Sequence, residues 1–430
     1  MTTAYWNGAA GSATFPRTMV TLDPITRALV AADSEAADKL GAPNYDEFQS
    51  DREVWELLRE RPWSVLRVTM PHCDVRTPED IGDEGSKATL ARAVANMARL
   101  MNDPMVRKAM RIVWVYEITR PGHEDKPQIG LGGLGRTDEI RTAQNPKGSV
   151  IRNEGIREVK AKGRATLTQV THTDMGTVNL AVDDASGEFR GSLGTYAESR
   201  PPTFETHDEQ GCRHRVWLVE DPKQIESFRA LVAREPRAYV ADGNHRSAAA
   251  AMLGYEHYLA VVFPAATMTI APYNRLVDLA RDQRAGLVTG VQRSFQVERH
   301  PGPGALQPTT THEIGLYDGS SWWSLHPKPG TFDPADAAQD IDADIAQRRI
   351  IEPVLGVSDA RDERITYVGA NRDAVWLQAQ VDGGLHGCAI TLPPVTMKQF
   401  IRVCLQDKLM PPKSTWFVPK IRSGLVMAMV

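Results

Sequence analysis

Apolar positions along the chain follow two rhythms. Behind Asp221-Pro222, the residues Ile225, Phe228, Leu231 and Val232 recur every three to four positions, which predicts a capped amphipathic helix with proline in its first turn. Leu90, Ala91, Val94, Met97, Ala98 and Met101 follow Ser86 at the same spacing, and Pro104 limits that helix. Elsewhere the runs are short and rich in β-branched or aromatic residues. Trp63–Met70, Arg111–Thr119, Val178–Val182, Arg215–Val219, Arg237–Ala241 and Tyr258–Phe263 read as strands. Beyond residue 311 strands are expected around Trp322 and Trp376, at Trp416–Val418 and in the closing GLVMAMV. Helices are expected near Asp340–Leu355 and Thr396–Leu405. The alternation is that of a mixed α/β protein with sheets in both parts of the chain.

Three segments interrupt the pattern. Residues 1–20 are small and polar and read as a flexible arm. Ser199–His214 (SRPPTFETHDEQGCRH) reads as a mobile loop or hairpin tip. His300–Thr311 (HPGPGALQPTTT) is the best boundary, dividing a core over 21–299 from a C-terminal α/β half over 300–430 that contributes to the same site.

Composition narrows the class. With 430 residues, 24% charged, and a formal charge of −4, the chain has a sizeable core and no basic surface suited to a polyanion. Four cysteines lie far apart without a CxxC pair, as expected of a reducing compartment. The start lacks the pattern of a secretory leader, and no run of 18 apolar residues occurs. A cytoplasmic enzyme is the expectation.

Gly130, Gly132 and Gly135 spell G-x-G-x-x-G, but a polar loop precedes them, and Pro146 and Gly148 prevent a long helix after them. They read as glycines within a twisted strand, not as a dinucleotide site. Arg237–Leu253 (RAYVADGNHRSAAAAML) is more chemical. A short strand ends at Ala241, Asp242-Gly243 turn the chain, and a helix starts near Asn244. Its unpaired N–H groups, with His245 and Arg246, form a compact anion site. On these residues alone, Asp242 as a helix cap and Arg246 as a surface pair are equally open.

The strand–D-G-x-H-R–helix arrangement resembles the phosphate turn of the ParB/sulfiredoxin-like superfamily. Four further segments resemble the family of unknown-function proteins in that fold related to the free-serine kinase SerK. These are Ala42–Asp46 (APNYD), Arg152-Asn153-Glu154 with Arg164 ten residues later, Pro272–Val277 (PYNRLV) and Met410–Val426 (MPPKSTWFVPKIRSGLV). The resemblance runs over about residues 20–430. It implies a ParB/sulfiredoxin-like nucleotide-binding core with mixed sheets and an added C-terminal half. Two positions depart from the family pattern, Asn153 and Asn244, where relatives often carry histidine. The turn also lacks the cysteine that sulfiredoxin chemistry requires.

The resemblance implies a phosphotransferase using ATP or ADP with Mg²⁺ on the hydroxyl of a small polar metabolite, free serine or a serine-like amino acid. Glu154 is then the general base, with Asp242 and His245 beside it. Gly243, Asn244, His245, Arg246, Lys413, Ser414 and Thr415 would hold the nucleotide, and Lys420 is a weaker contact. Arg164 and Arg275 would grip a substrate carboxylate. No cluster specifies a metal. Hydrolysis of the nucleotide, nucleotide-gated binding of the ParB kind, and a family member that binds without catalysis stay open. DNA and membrane are not expected partners, and a homodimer is open. His72-Cys73-Asp74, Cys212-x-His214 and His386-x-Cys388 each resemble half of a metal site and read as incidental.

Overall fold

The computed structural model describes residues 19–279, 281–302 and 304–430. The expected arm over 1–20 lies outside them except for Met19 and Val20. Val20 is buried, and its N–H donates to the Glu235 carbonyl at 3.0 Å.

The chain is mixed α/β. One large sheet runs in the order Val150–Ile151, Ala238–Asp242, Val178–Val182, His257–Pro264, Gln128–Arg136, Val106–Thr119, Ile25–Ala31, Val426–Met429 and Thr173–Asp174. Ala238–Asp242 pairs parallel with Val150–Ile151 and antiparallel with Val178–Val182, so the sheet is mixed where the A-D-G-N-H-R turn leaves it. A second sheet of six strands is antiparallel throughout. It holds Tyr273–Val277, Phe295–Arg299, Ile314–Tyr317, Trp322–Pro327, Ile365–Gly369 and Cys388–Thr391. The chain leaves the large sheet after Pro264 and enters the second at Tyr273, ahead of His300. Thr269–Ala271 between them pairs separately with Trp416–Val418, and Tyr273–Val277 pairs with strands 88 or more residues later. Val426–Met429 then returns to the large sheet between Ile25–Ala31 and Thr173–Asp174.

Helix boundaries follow the capping chemistry. Ser86, Asp221 and Thr396 accept the N–H three residues on, opening helices Lys87–Met101, Pro222–Val232 and Met397–Leu405. Two expected strands are helical. Trp63–Met70 holds the helix Leu66–Thr69, and the run around Trp376 is the helix Ala374–Asp382, capped by Asp373 on the Trp376 N–H at 2.8 Å. Both runs are short and apolar, and their burial against one side of a neighbouring layer suits either geometry.

The glycine triplet lies in the strand Gln128–Arg136, as read from the sequence. Its glycines receive rings: a Cβ on Gly132 would lie 2.0 Å from Trp114, one on Gly130 2.5 Å from Phe263, and one on Gly135 2.7 Å from Tyr258. Each ring comes from an adjacent strand, so the motif is a packing device. Ser199–His214 forms the hairpin Phe204–His207 with Arg213–Val219. The four cysteines are free and buried. Among the described residues, no helix is long and apolar enough to cross a membrane.

Candidate functional site

Strand Ala238–Asp242, Gly243 and helix Asn244–Met252 build one wall of a polar cavity. Gly243 has φ 97°, a conformation costly for any residue with a Cβ. A Cβ there would also sit 3.2 Å from the Val178 backbone and 3.1 Å from Arg246 Nε. The turn therefore needs glycine twice over. It presents Gly243, Asn244 and His245 to the cavity at a helix start, where N–H groups lack intrahelical acceptors and the dipole favours an anion.

The opposite wall comes from distant segments. Tyr45 and Asp46 line it from the A-P-N-Y-D turn, Tyr273 from the second sheet, and Lys413, Thr415 and Lys420 from the segment after Met410. Lys420 Nζ lies 2.9 Å from Asp242 and 3.6 Å from Asp46, over the Trp416 ring. Lys413 Nζ is 3.8 Å from Asp46 and faces the Tyr273 ring. Burial alone would raise the Asp242 carboxyl, but Lys420 and Arg246 hold it well below the usual carboxylate range. Burial likewise works against the charge on Lys413, and Tyr273 and Asp46 keep it protonated. Asp46 Oδ1 is buried without a hydrogen-bond partner. Glu47 beside it is pushed up to about 8 by burial, against the pull of Lys420, and it accepts the Asn44 N–H at 2.7 Å.

Glu154 lies in the same cavity. An isolated bridge joins it to Met410, whose N–H donates to the Asn153 carbonyl at 2.9 Å, and this ties the catalytic candidate to the segment carrying Lys413. Burial raises the Glu154 carboxyl above its ordinary value, and Lys413 offsets part of that shift. The two departures from the family pattern meet here. Asn244 Nδ2 donates to Asn153 Oδ1 at 2.9 Å, both side chains being buried.

The structure assigns other sequence candidates differently. His245 Nε2 accepts the Arg157 backbone N–H at 2.9 Å, and burial with Lys413 and Lys160 lowers it to about 4. At neutral pH His245 is therefore a neutral hydrogen-bonding group, not a cation. Arg246 donates to Asp242 at 3.0 Å, Asn44 at 3.3 Å and the Thr177 carbonyl. It braces the turn from below and lines a second, neighbouring hollow instead. Arg164 lines that hollow too, donating to the Thr69 carbonyl at 3.0 Å and stacking on Tyr45. Ser414 is buried, and its hydroxyl donates to the Pro411 carbonyl at 2.7 Å. Arg275 is 2% exposed, bonded to the Tyr273 carbonyl and packed over Tyr367, so it lines neither hollow. Asp46 and Tyr45 went unassigned in the sequence reading, although their turn was noted.

Residues 24–351 match the family described as protein of unknown function (DUF1015). The chain belongs to that family. The DUF1015 match includes Asp46, Glu154 and the Asp242–Arg246 turn, whereas Lys413, Thr415 and Lys420 lie beyond its end. No curated protein matches the chain. Among solved structures, the chain is similar to a free serine kinase in complex with AMP, at 11% identity and a TM-score of 0.35, with 63% of this chain and 84% of that one covered. It is also similar to a conserved hypothetical protein from Pyrococcus furiosus, at 10% identity and a TM-score of 0.36, covering 64% and 89%. A third is SbnI with a C-terminal truncation from Staphylococcus aureus, at 9% identity and a TM-score of 0.36, covering 66% and 82%. Likeness at this level leaves the chemistry of this DUF1015 member to its own side chains.

Proposed function

We propose that the protein is a nucleotide-dependent phosphotransferase acting on the hydroxyl of a small polar metabolite. The observation that carries this reading is the convergence, in one cavity, of a helix start, two lysines, two aspartates and a glutamate with a raised pKa. Phosphoryl transfer asks for charge neutralisation around the moving group and for a base at the acceptor. Gly243, Asn244 and His245 at the helix start, with Lys413 and Lys420, supply donors and positive charge for phosphate oxygens. Thr415 adds a hydroxyl at the same wall. Tyr45 borders both hollows, and the second is lined by Leu167, Met175 and Tyr255, giving a nucleoside an apolar space beside its phosphates. Arg246, bonded to Asp242, and Arg164, stacked on Tyr45, add positive field from behind the residues that line the phosphate cavity.

A magnesium ion fits the donor set, because Asp46 has an unpartnered buried oxygen and shares Lys420 with Asp242. Asp46 and Asp242 would hold it, and it would supply charge neutralisation at the phosphate oxygens. Glu154 accepts the acceptor's hydroxyl proton. Burial raises its pKa, which makes the ionised form a stronger base than an exposed carboxylate. The sign follows: turnover rises as pH rises through the raised Glu154 value, since only the ionised form takes a proton. The sequence resemblance makes free serine the first acceptor to try.

The test is phosphorus NMR on the purified chain with ATP or ADP and Mg²⁺, with and without L-serine and other small hydroxyl compounds. A phosphorylated acceptor supports the reading, and no nucleotide turnover with any pairing overturns it. Inorganic phosphate alone as product reassigns the protein as a nucleotide hydrolase. Glu154→Gln is expected to slow transfer by roughly 10²–10⁴-fold while nucleotide binding persists.

A further inference from the structure

We infer that the chain carries a metal site apart from this cavity, built by Asp51, His72, Cys73 and Glu84, for a zinc-class divalent ion. The sequence alone offered only the adjacent His72-Cys73 pair. The fold brings the rest: Asp51 opens the helix Asp51–Glu60, His72 and Cys73 lie in the short turn Pro71–Cys73, and Glu84 precedes the helix Lys87–Met101.

The ligand atoms of Asp51, His72 and Cys73 lie within 4.8 Å of one another. His72 Nε2 is 3.4 Å from Asp51 Oδ1 and 3.8 Å from Glu84 Oε1. Two ligands each about 2.0–2.1 Å from a tetrahedral zinc stand about 3.3–3.4 Å apart, so the first separation is already that of a bound pair. These distances exceed those of ordinary hydrogen bonds, and neither ring nitrogen of His72 has a hydrogen-bond partner although the residue is 2% exposed. A buried imidazole left so is costly, and a metal at Nε2 satisfies the nitrogen that faces the carboxylates. Asp74, the other carboxylate of the sequence motif, is engaged elsewhere, by Arg67 and by Asn96 Nδ2 at 2.8 Å. That leaves one imidazole, one thiol and two carboxylates, a mixed nitrogen, sulfur and oxygen set suited to zinc and not to magnesium or calcium. As the Sγ–metal bond forms, the Cys73 thiol gives up its proton to solvent.

Such an ion would add a clip between three segments already joined by hydrogen bonds from Trp55 to the Val75 carbonyl and from Arg92 to the Pro71 carbonyl. The clipped turn follows directly on Thr69, whose carbonyl receives Arg164. The site is structural, and none of its four ligands lines either hollow of the nucleotide region.

The experiment titrates the chelator-treated full chain with Co²⁺ and then Zn²⁺, in the absence of nucleotide. Binding of one equivalent is expected, with a thiolate-to-cobalt charge-transfer band that Zn²⁺ abolishes, and with a higher melting temperature. Cys73→Ser should remove the band, while Cys212→Ser, a buried cysteine elsewhere, should keep it. Because Cys73 is fully buried, Asp51→Asn and Glu84→Gln provide variants at exposed side chains that leave the core untouched. Each should weaken cobalt binding by more than tenfold, since even loss of an outer-shell partner costs roughly 10–100-fold. Absence of a charge-transfer band in the unaltered chain, or cobalt affinity in both carboxylate variants unchanged from that of the unaltered chain, overturns the proposal.

Discussion

Two glycine-bearing stretches of this chain look alike on paper and do opposite things. In Gln128–Arg136 the glycines lie inside a strand and vacate volume for Trp114, Phe263 and Tyr258. At Asp242-Gly243-Asn244 a single glycine adopts a left-handed conformation and opens a helix on a charged cavity. A motif written in glycines reports only that a side chain is unwelcome. What enters the space, a ring or a phosphate, is decided by the neighbouring strands and by whether a helix follows.

Substitutions can break this contrast. Gly132→Ala should have the largest effect, about 3 kcal/mol in urea denaturation, because its Cβ would lie 2.0 Å from Trp114 within a close-packed sheet. The folded fraction should bind nucleotide as before, and a stable variant with lost binding would reverse the assignment. Gly243→Ala should cost less stability, about 1–2 kcal/mol for the left-handed backbone, yet weaken nucleotide binding in calorimetry. Unchanged affinity there would detach the turn from the phosphate.

A finer probe is the Asn153–Asn244 bond. A double-mutant cycle to alanine should show coupling on the order of 1 kcal/mol in stability. The smallest effect is in pH. His245, lowered to about 4 by burial with Lys413 and Lys160 nearby, stays neutral while the unfolded chain takes up a proton near 6.5. Stability from this group is full above pH 6.5 and is lost as pH falls toward 4. His245→Gln should flatten that part of the stability curve, modestly, because solvent reaches the ring.

Much of the strand–turn–helix was legible because its determinants are local: a short apolar run, Asp-Gly, then alanines. Helix starts at Ser86 and Asp221 were legible for the same reason. The other wall was less so. Lys420 meets Asp242 across 178 residues, and Arg246 meets Asn44 across 202. No local pattern encodes such pairings, which is why Asp46 received no role. That Arg275 lines neither hollow was not legible, because a strand residue's type does not reveal which face it takes. The two asparagine departures, read one at a time, looked like losses. Together they form a bond, which only the folded chain brings into contact.

One feature of the topology bears on timing. The helix start and the lysines that face it are separated by about 170 residues, and Val426–Met429 anchors the latter by slotting between two strands formed far earlier in the sequence. At about 5–20 residues per second, the ribosome needs roughly 10–30 s to make that interval. During it, the emerging chain has the phosphate turn but no lysine wall, and a gap in its main sheet where the returning strand will fit. Under the proposed function, nucleotide would be fully enclosed only once that strand arrives, which would couple ligand capture to closure of the sheet in the protein's biogenesis.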